Sequence, residues 1–149
     1  MEPNKYQRKV LRRLHDYLRL LESHSPNEAY CTLWESLDVN INPIGGDGMP
    51  PYRDTIRGIP HVCFKVPTGG GKTFLATCAV RYIKDAVMQC GEGVVVWLVP
   101  SDTILDQTLA NLKNIDHPYR QQLQKDFPAG VEVYSKEQLI NGQNFQNLE

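Results

Sequence analysis

The sequence lacks the features that mark membrane and secreted proteins. Its longest apolar run, Val94 to Pro100, is far shorter than the roughly 18 residues that a membrane-spanning helix needs. Residues 1–13 are polar and basic and contain no apolar stretch like that of a secretory signal. We therefore expect a cytoplasmic protein with no membrane partner.

Cysteine spacing and overall charge argue against two further classes. The four cysteines, at positions 31, 63, 78 and 90, have neither CxxC nor Cys/His zinc spacing, so we expect reduced, buried thiols. The 16 Lys and Arg residues are balanced by 17 Asp and Glu residues, so no overall basic field indicates nucleic acid. Residues 1–24 still carry six basic and three acidic side chains, a net charge of +3. This local excess fits either a phosphate contact or a solvated helix face.

The composition is that of a globular protein, with 41% apolar and 22% charged residues in a chain of 149. Apolar residues recur at helical spacing from Tyr6 to Glu22, which predicts a first helix. Ser25, followed by a proline and by Glu28, has the pattern of a capping box and predicts the start of a second helix. A Pro/Gly-rich loop then runs to residue 60. We accordingly divide the chain into an accessory segment, residues 1–60, and a second unit, residues 61–149.

The pattern changes after residue 60 to alternating strands and helices. The predicted strands are Val62–Val66, Val94–Val99 and Val131–Tyr134. The predicted helices cover residues 72–88, the segment after Ser101 or Asp102, and residues 119–127. Because crossover helices join parallel strands, the pattern predicts an α/β fold with a parallel sheet between two helical layers.

A glycine-rich loop lies between the first predicted strand and its helix. Its residues are Pro67, Thr68, Gly69, Gly70, Gly71, Lys72 and Thr73. Consecutive glycines let several backbone N–H groups point into one concavity, and the helix N-terminus adds its dipole. In a loop of this type Lys72 binds the β- and γ-phosphates, and the Thr73 hydroxyl binds Mg²⁺ through the nucleotide. The loop therefore predicts binding of ATP with Mg²⁺, and Lys72 and Thr73 are the predicted catalytic residues.

Three segments resemble those of a known family. Val66 stands where the general P-loop pattern has its first glycine, which resembles motif I of superfamily 2 helicases. VVWLVPSDTILDQT resembles their motif Ia. Together with PHVCFKVPTGGGKTFLA and HPYRQQL, these residues resemble the ATPase half of the restriction (Res) subunit of type III restriction enzymes. The resemblance implies part of a RecA-like P-loop NTPase domain, an ATP-dependent DNA helicase or translocase, a nuclease, and a methyltransferase (Mod) partner.

The resemblance also implies roles for two further residues. Gln7 follows Tyr6 on the first helix, where many superfamily 2 enzymes use a glutamine amide to bind the adenine edge; a surface glutamine is the alternative. Ser101 lies at the motif Ia position that contacts the DNA backbone, although it also suits simple helix capping.

A complete motor needs an acidic pair for Mg²⁺ and water, and the chain has no adjacent Asp-Glu pair. We therefore expect residues 1–149 to be an N-terminal fragment that binds ATP weakly and hydrolyses it very slowly. The alternative function is a regulatory ATP-binding module without motor activity. A small-molecule kinase is disfavoured because the second predicted strand leads into PSDTILDQT instead of a substrate-binding lid.

Overall fold

The computed structural model describes residues 1–42, 46–88 and 93–140. Its helices are α1 (Lys5–Leu20), α2 (Pro26–Glu35), α3 (Lys72–Ile83), α4 (Asp102–Lys113), α5 (Pro118–Asp126) and the single turn α6 (Lys136–Ile140). A π-helical turn, Lys84–Met88, continues α3. Cys90 and residues 141–149 lie outside the described residues.

Helix α1 begins with a reciprocal cap. The Asn4 side chain accepts a hydrogen bond from the Gln7 N–H, and the Gln7 side chain accepts one from the Asn4 N–H. The pair satisfies two donors that a helix start otherwise leaves unpaired. The predicted first helix is confirmed, with its end two residues earlier than expected.

Helix α2 starts as predicted. Ser25 is its N-cap, Pro26 occupies its first turn, and Glu28 completes the capping box. Helices α1 and α2 pack through one apolar cluster of buried side chains, which are Leu14, Tyr17, Leu18, Ala29 and Leu33. This cluster lies at the carboxyl-terminal half of α1, so the amino-terminal half is left to contact α3 and the segment before it.

A second apolar cluster joins α1 to α3. Its buried members are Leu11, Val66, Phe74, Leu75 and Cys78. Val66 is the last residue before the glycine-rich loop, so the same cluster anchors both flanks of the loop. Tyr119 of α5 packs on it from the other side, with its ring stacked on Phe74 at 6.0 Å between centroids.

The predicted parallel sheet is wrong. In the described ranges there is no strand, and the one β-bridge joins Ile41 to Met49. The segments 62–66, 94–99 and 131–134 have no regular secondary structure. A strand forms only when its backbone groups pair with a neighbour, and no partner is supplied within these ranges. The three-layer α/β/α RecA-like fold therefore does not describe this structure, which is helical.

The cysteines only partly follow the prediction. Cys78 is buried, Cys31 is half-buried and Cys63 is exposed. Burial raises the pKa of the Cys78 thiol to about 11, and the nearby charge of Asp126 acts in the same direction. The Cys78 thiol therefore stays protonated at neutral pH and packs as a small apolar group.

None of the helices in the part of the chain that the structure describes combines the length and the apolar content needed to cross a membrane.

Candidate nucleotide-binding site

The glycine-rich loop makes a tight turn that only glycines can form. Gly69 and Gly71 have φ values of +76° and +72°, a left-handed conformation that strains other residues. The Gly70 N–H donates to the Pro67 carbonyl at 3.0 Å, which closes the turn. A Cβ on Gly70 would lie 2.7 Å from Val66 Cγ1, so this position has no room for a side chain.

Helix α3 presents an uncapped N-terminus at the end of this turn. Its N-cap is Gly71, which has no side chain to bond the first amides, and its first turn contains no acidic residue. Among the described residues, no group accepts a hydrogen bond from the amides of Lys72 and Thr73. Free amides and the positive end of the helix dipole together favour an anion at this place.

The two predicted catalytic side chains lie on the first turn of α3. The Lys72 ammonium donates to the Pro67 carbonyl at 3.1 Å, so its charge is held against the loop. Thr73 is half-buried, and its carbonyl accepts a hydrogen bond from the Thr77 hydroxyl at 2.9 Å. No described residue engages the Thr73 hydroxyl, which leaves it available to a ligand.

Gln7 reaches the loop from α1. Its side chain is only 7% exposed, and its Nε2 donates to the Gly70 carbonyl at 3.0 Å. Its Oε1 accepts from the Asn4 N–H at 3.0 Å. Gln7 is therefore not a surface glutamine. The structure brings it to the predicted phosphate loop, and its contact with adenine stays a prediction.

Tyr6, the neighbour of Gln7, contacts the segment that precedes the loop. The Tyr6 hydroxyl donates to the Lys65 carbonyl at 3.5 Å. The Tyr6-Gln7 pair therefore contacts the backbone both before and within the loop, at Lys65 and at Gly70. The family resemblance implies an adenine contact for Gln7 alone, and it does not predict the contacts of this pair with the loop and the segment before it.

Asn4 fixes the orientation of the Gln7 side chain, and it is not among the residues predicted for the site. Asn4 and Gln7 form the Asn-x-x-Gln version of a capping box, and this spacing is visible in the sequence. It predicts where the glutamine oxygen is bonded, and hence that the nitrogen end of the amide is free to turn towards another element.

Ser101 is at the start of α4, exposed, and serves as its N-cap. Its hydroxyl accepts from the Ile104 N–H at 3.5 Å. Among the described residues, no hydrogen bond or ion pair joins Ser101 to the glycine-rich loop. The capping role is confirmed, and its contact with DNA stays a prediction.

The Thr73 hydroxyl offers the kind of oxygen ligand that Mg²⁺ prefers. No group of three or more His, Cys, Asp or Glu side chains in the described part of the chain is arranged to hold a metal. If Mg²⁺ binds here, the Thr73 hydroxyl would supply one oxygen, and the other oxygens would come from phosphates and water. This is the donor set expected when the metal arrives with the nucleotide.

A turn of left-handed glycines, an uncapped helix start and a lysine are features found together in loops that bind phosphate chains. A family model described as "Type III restriction enzyme, res subunit" matches residues 1–147. The chain belongs to this family. The family is helicase-like and ATP-dependent and acts in connection with DNA, and this coarse description applies to the chain. Searches of curated proteins and of solved structures gave no match.

Proposed function

We propose that residues 67–73 bind the triphosphate of Mg²⁺-ATP. On this proposal the chain provides the ATP-binding part of a DNA translocase that serves a type III restriction-modification system. The main support for the proposal is the uncapped start of α3, where the amides of Lys72 and Thr73 have no acceptor among the described residues. The Lys72 ammonium lies against the same loop, bonded to the Pro67 carbonyl. Bound ATP would supply a phosphoanhydride bond whose cleavage drives movement along DNA.

Each group in the loop has a separate task. The amides of Lys72 and Thr73 donate to phosphate oxygens, as helix starts do for anions. When nucleotide binds, the Lys72 ammonium leaves the Pro67 carbonyl and donates to the terminal phosphates, which carry more negative charge. The Thr73 hydroxyl joins the coordination of Mg²⁺, which neutralises the same phosphates.

Hydrolysis by this chain should be slow. The attacking water and Mg²⁺ need carboxylates. In the described ranges, the side-chain hydrogen bonds of residues 67–73 are made with Gln7, with Thr77 and within the loop, and none involves an Asp or Glu. We propose that the loop binds and orients ATP, and that a motor-like rate requires an adjacent Asp-Glu pair, which is absent from this sequence.

Two further parts of the proposal come from the family. The DNA backbone would be contacted near Ser101, at the exposed start of α4. A methyltransferase subunit would supply recognition of the DNA sequence. What supports both is the membership in the type III restriction enzyme family.

The test is a calorimetric titration of Mg²⁺-ATP into the 149-residue chain. Lys72→Ala should weaken binding at least about tenfold, because a charge-assisted contact contributes about 1.5–3 kcal/mol. Lys125→Ala is the matched control, since Lys125 is an exposed lysine on α5. Equal affinities for the wild type and Lys72→Ala would contradict the proposal.

A further inference from the structure

The carboxamide of Gln7 is fixed at both ends. Its Oε1 accepts from the Asn4 N–H and its Nε2 donates to the Gly70 carbonyl, each at 3.0 Å. An amide has one accepting and one donating end, so the two contacts leave a single orientation of the group. The side chain is also nearly enclosed, at 7% exposure.

Gln7 and the loop are in close contact at the next residue too. A Cβ on Gly71 would lie 2.6 Å from Gln7 Nε2, well inside van der Waals distance. Gly71 therefore has two reasons to be glycine, its left-handed φ of +72° and the space that Gln7 takes up.

The hydrogen bond from Gln7 to the Gly70 carbonyl also sets the direction of the Gly71 N–H. In a trans peptide the C=O of one residue and the N–H of the next point in opposite directions. Holding the Gly70 carbonyl towards Gln7 therefore directs the Gly71 N–H away from Gln7. A carbonyl turned into the phosphate concavity would repel the anion, whereas an N–H attracts it.

We propose that Gln7 is a positioning residue that sets the Gly70–Gly71 peptide for binding of the phosphate chain. The inference rests on the proposed function of the loop. Its effect acts through the loop backbone and does not depend on the base of the nucleotide. The adenine contact implied by the family resemblance makes a different prediction, namely that loss of Gln7 weakens only adenine nucleotides.

Three ligands separate these roles. The probes are Mg²⁺-ATP, Mg²⁺-GTP and inorganic tripolyphosphate with Mg²⁺, each titrated into the 149-residue chain and into Gln7→Met. Methionine keeps the length and packing of the side chain but cannot donate to the Gly70 carbonyl. Binding of all three should weaken by a similar factor, about three- to tenfold, the usual effect of one hydrogen bond. Gln124→Met, on the exposed side of α5, is the matched control and should bind as the wild type does.

A second readout needs no ligand. In nitrogen–proton NMR spectra of the free protein, the Gly71 amide signal should move in Gln7→Met and stay in place in Gln124→Met. Should Gln7→Met fold poorly, Gln7→Asn serves instead, because its amide is one methylene too short to reach Gly70.

The outcomes are distinct. A loss confined to ATP overturns the inference and makes Gln7 a base-reading residue, while the proposed function of the loop stands. Unchanged binding of all three ligands also overturns the inference alone. Failure of the wild-type chain to bind both ATP and tripolyphosphate overturns the proposed function, and the inference with it.

Discussion

At the scale of single residues, the three glycines of the loop meet different physical demands. Gly69 has a left-handed φ and open space around it, whereas Gly70 has no room for a side chain beside Val66. Gly71 combines the left-handed φ with the close approach of Gln7. Each glycine is thus required for its own reason, and substitutions at the three positions should fail in different ways.

Gly71→Ala tests this distinction. Left-handed strain alone costs about 1–2 kcal/mol in a residue with a Cβ. Gly58 is a suitable control, because it has a φ of +77° and a Cβ added there would meet nothing within 4 Å. We expect Gly71→Ala to lower the free energy of unfolding by about 1 kcal/mol more than Gly58→Ala does, owing to the clash with Gln7. Urea denaturation measures both, and equal losses would contradict the contact between Gln7 and Gly71.

At the scale of elements, α3 is held from two sides. Helix α1 packs on it through the cluster around Leu11, and α5 packs on it through Tyr119. A polar contact adds to the second interface: Arg81 Nη1 lies 3.5 Å from Asp126 Oδ1, and the Asp126 side chain is 4% exposed. The Gln122 amide donates to the other carboxylate oxygen at 2.7 Å. The start of α3, where the loop ends, is therefore attached to a helix braced by two others.

Asp126→Ala should weaken this bracing. We expect it to lower the free energy of unfolding by about 1–3 kcal/mol, because the Gln122 amide and the Arg81 guanidinium lose a buried partner. Asp85→Ala is the matched control. Asp85 binds the same arginine at 3.6 Å, but both side chains of that pair are more than half exposed. Its loss should cost no more than about 0.5 kcal/mol. Thermal unfolding compares the two variants, and a similar effect of both would contradict the buried bridge.

Helices α1 to α5 could be predicted from sequence because their signals are local, whereas the single turn α6 was not predicted. Ser25, Pro26 and Glu28 are close together in the chain, and they determine where α2 begins. The contact from Gln7 to Gly70 could not be predicted, since it joins residues 63 positions apart. The predicted strands failed for a related reason. An apolar run such as Val94–Val99 indicates a strand only if a partner is present, and a single sequence does not show one.

At the scale of the whole molecule, the apolar surface is unevenly distributed. Two clusters enclose the contacts of α1, α2 and α3. The segment after residue 93 remains exposed, with Val94, Val96 and Leu98 at 87%, 75% and 88% exposure. Exposed apolar side chains so close together in the chain favour association in water.

Leu98→Lys tests the exposure of this segment. A lysine at a site that is already in water should change the free energy of unfolding by no more than about 0.5 kcal/mol. Binding of a hydrophobic dye should fall in the same variant. Leu18→Lys is the contrasting change, because Leu18 is 3% exposed, and burying its charge should cost at least about 3 kcal/mol. A comparable loss in Leu98→Lys would show that the segment is packed in solution, contrary to its exposure in this structure.

The turn of glycines and the start of α3 form the proposed binding site for a phosphate chain. The most direct measurement follows the backbone amide signals of the nitrogen-labelled chain while Mg²⁺-tripolyphosphate is added. We predict saturable shifts that are largest at Gly71, Lys72 and Thr73, whose amides surround the predicted anion. Absence of shifts at these amides, or larger shifts on another element, would contradict phosphate binding at this site.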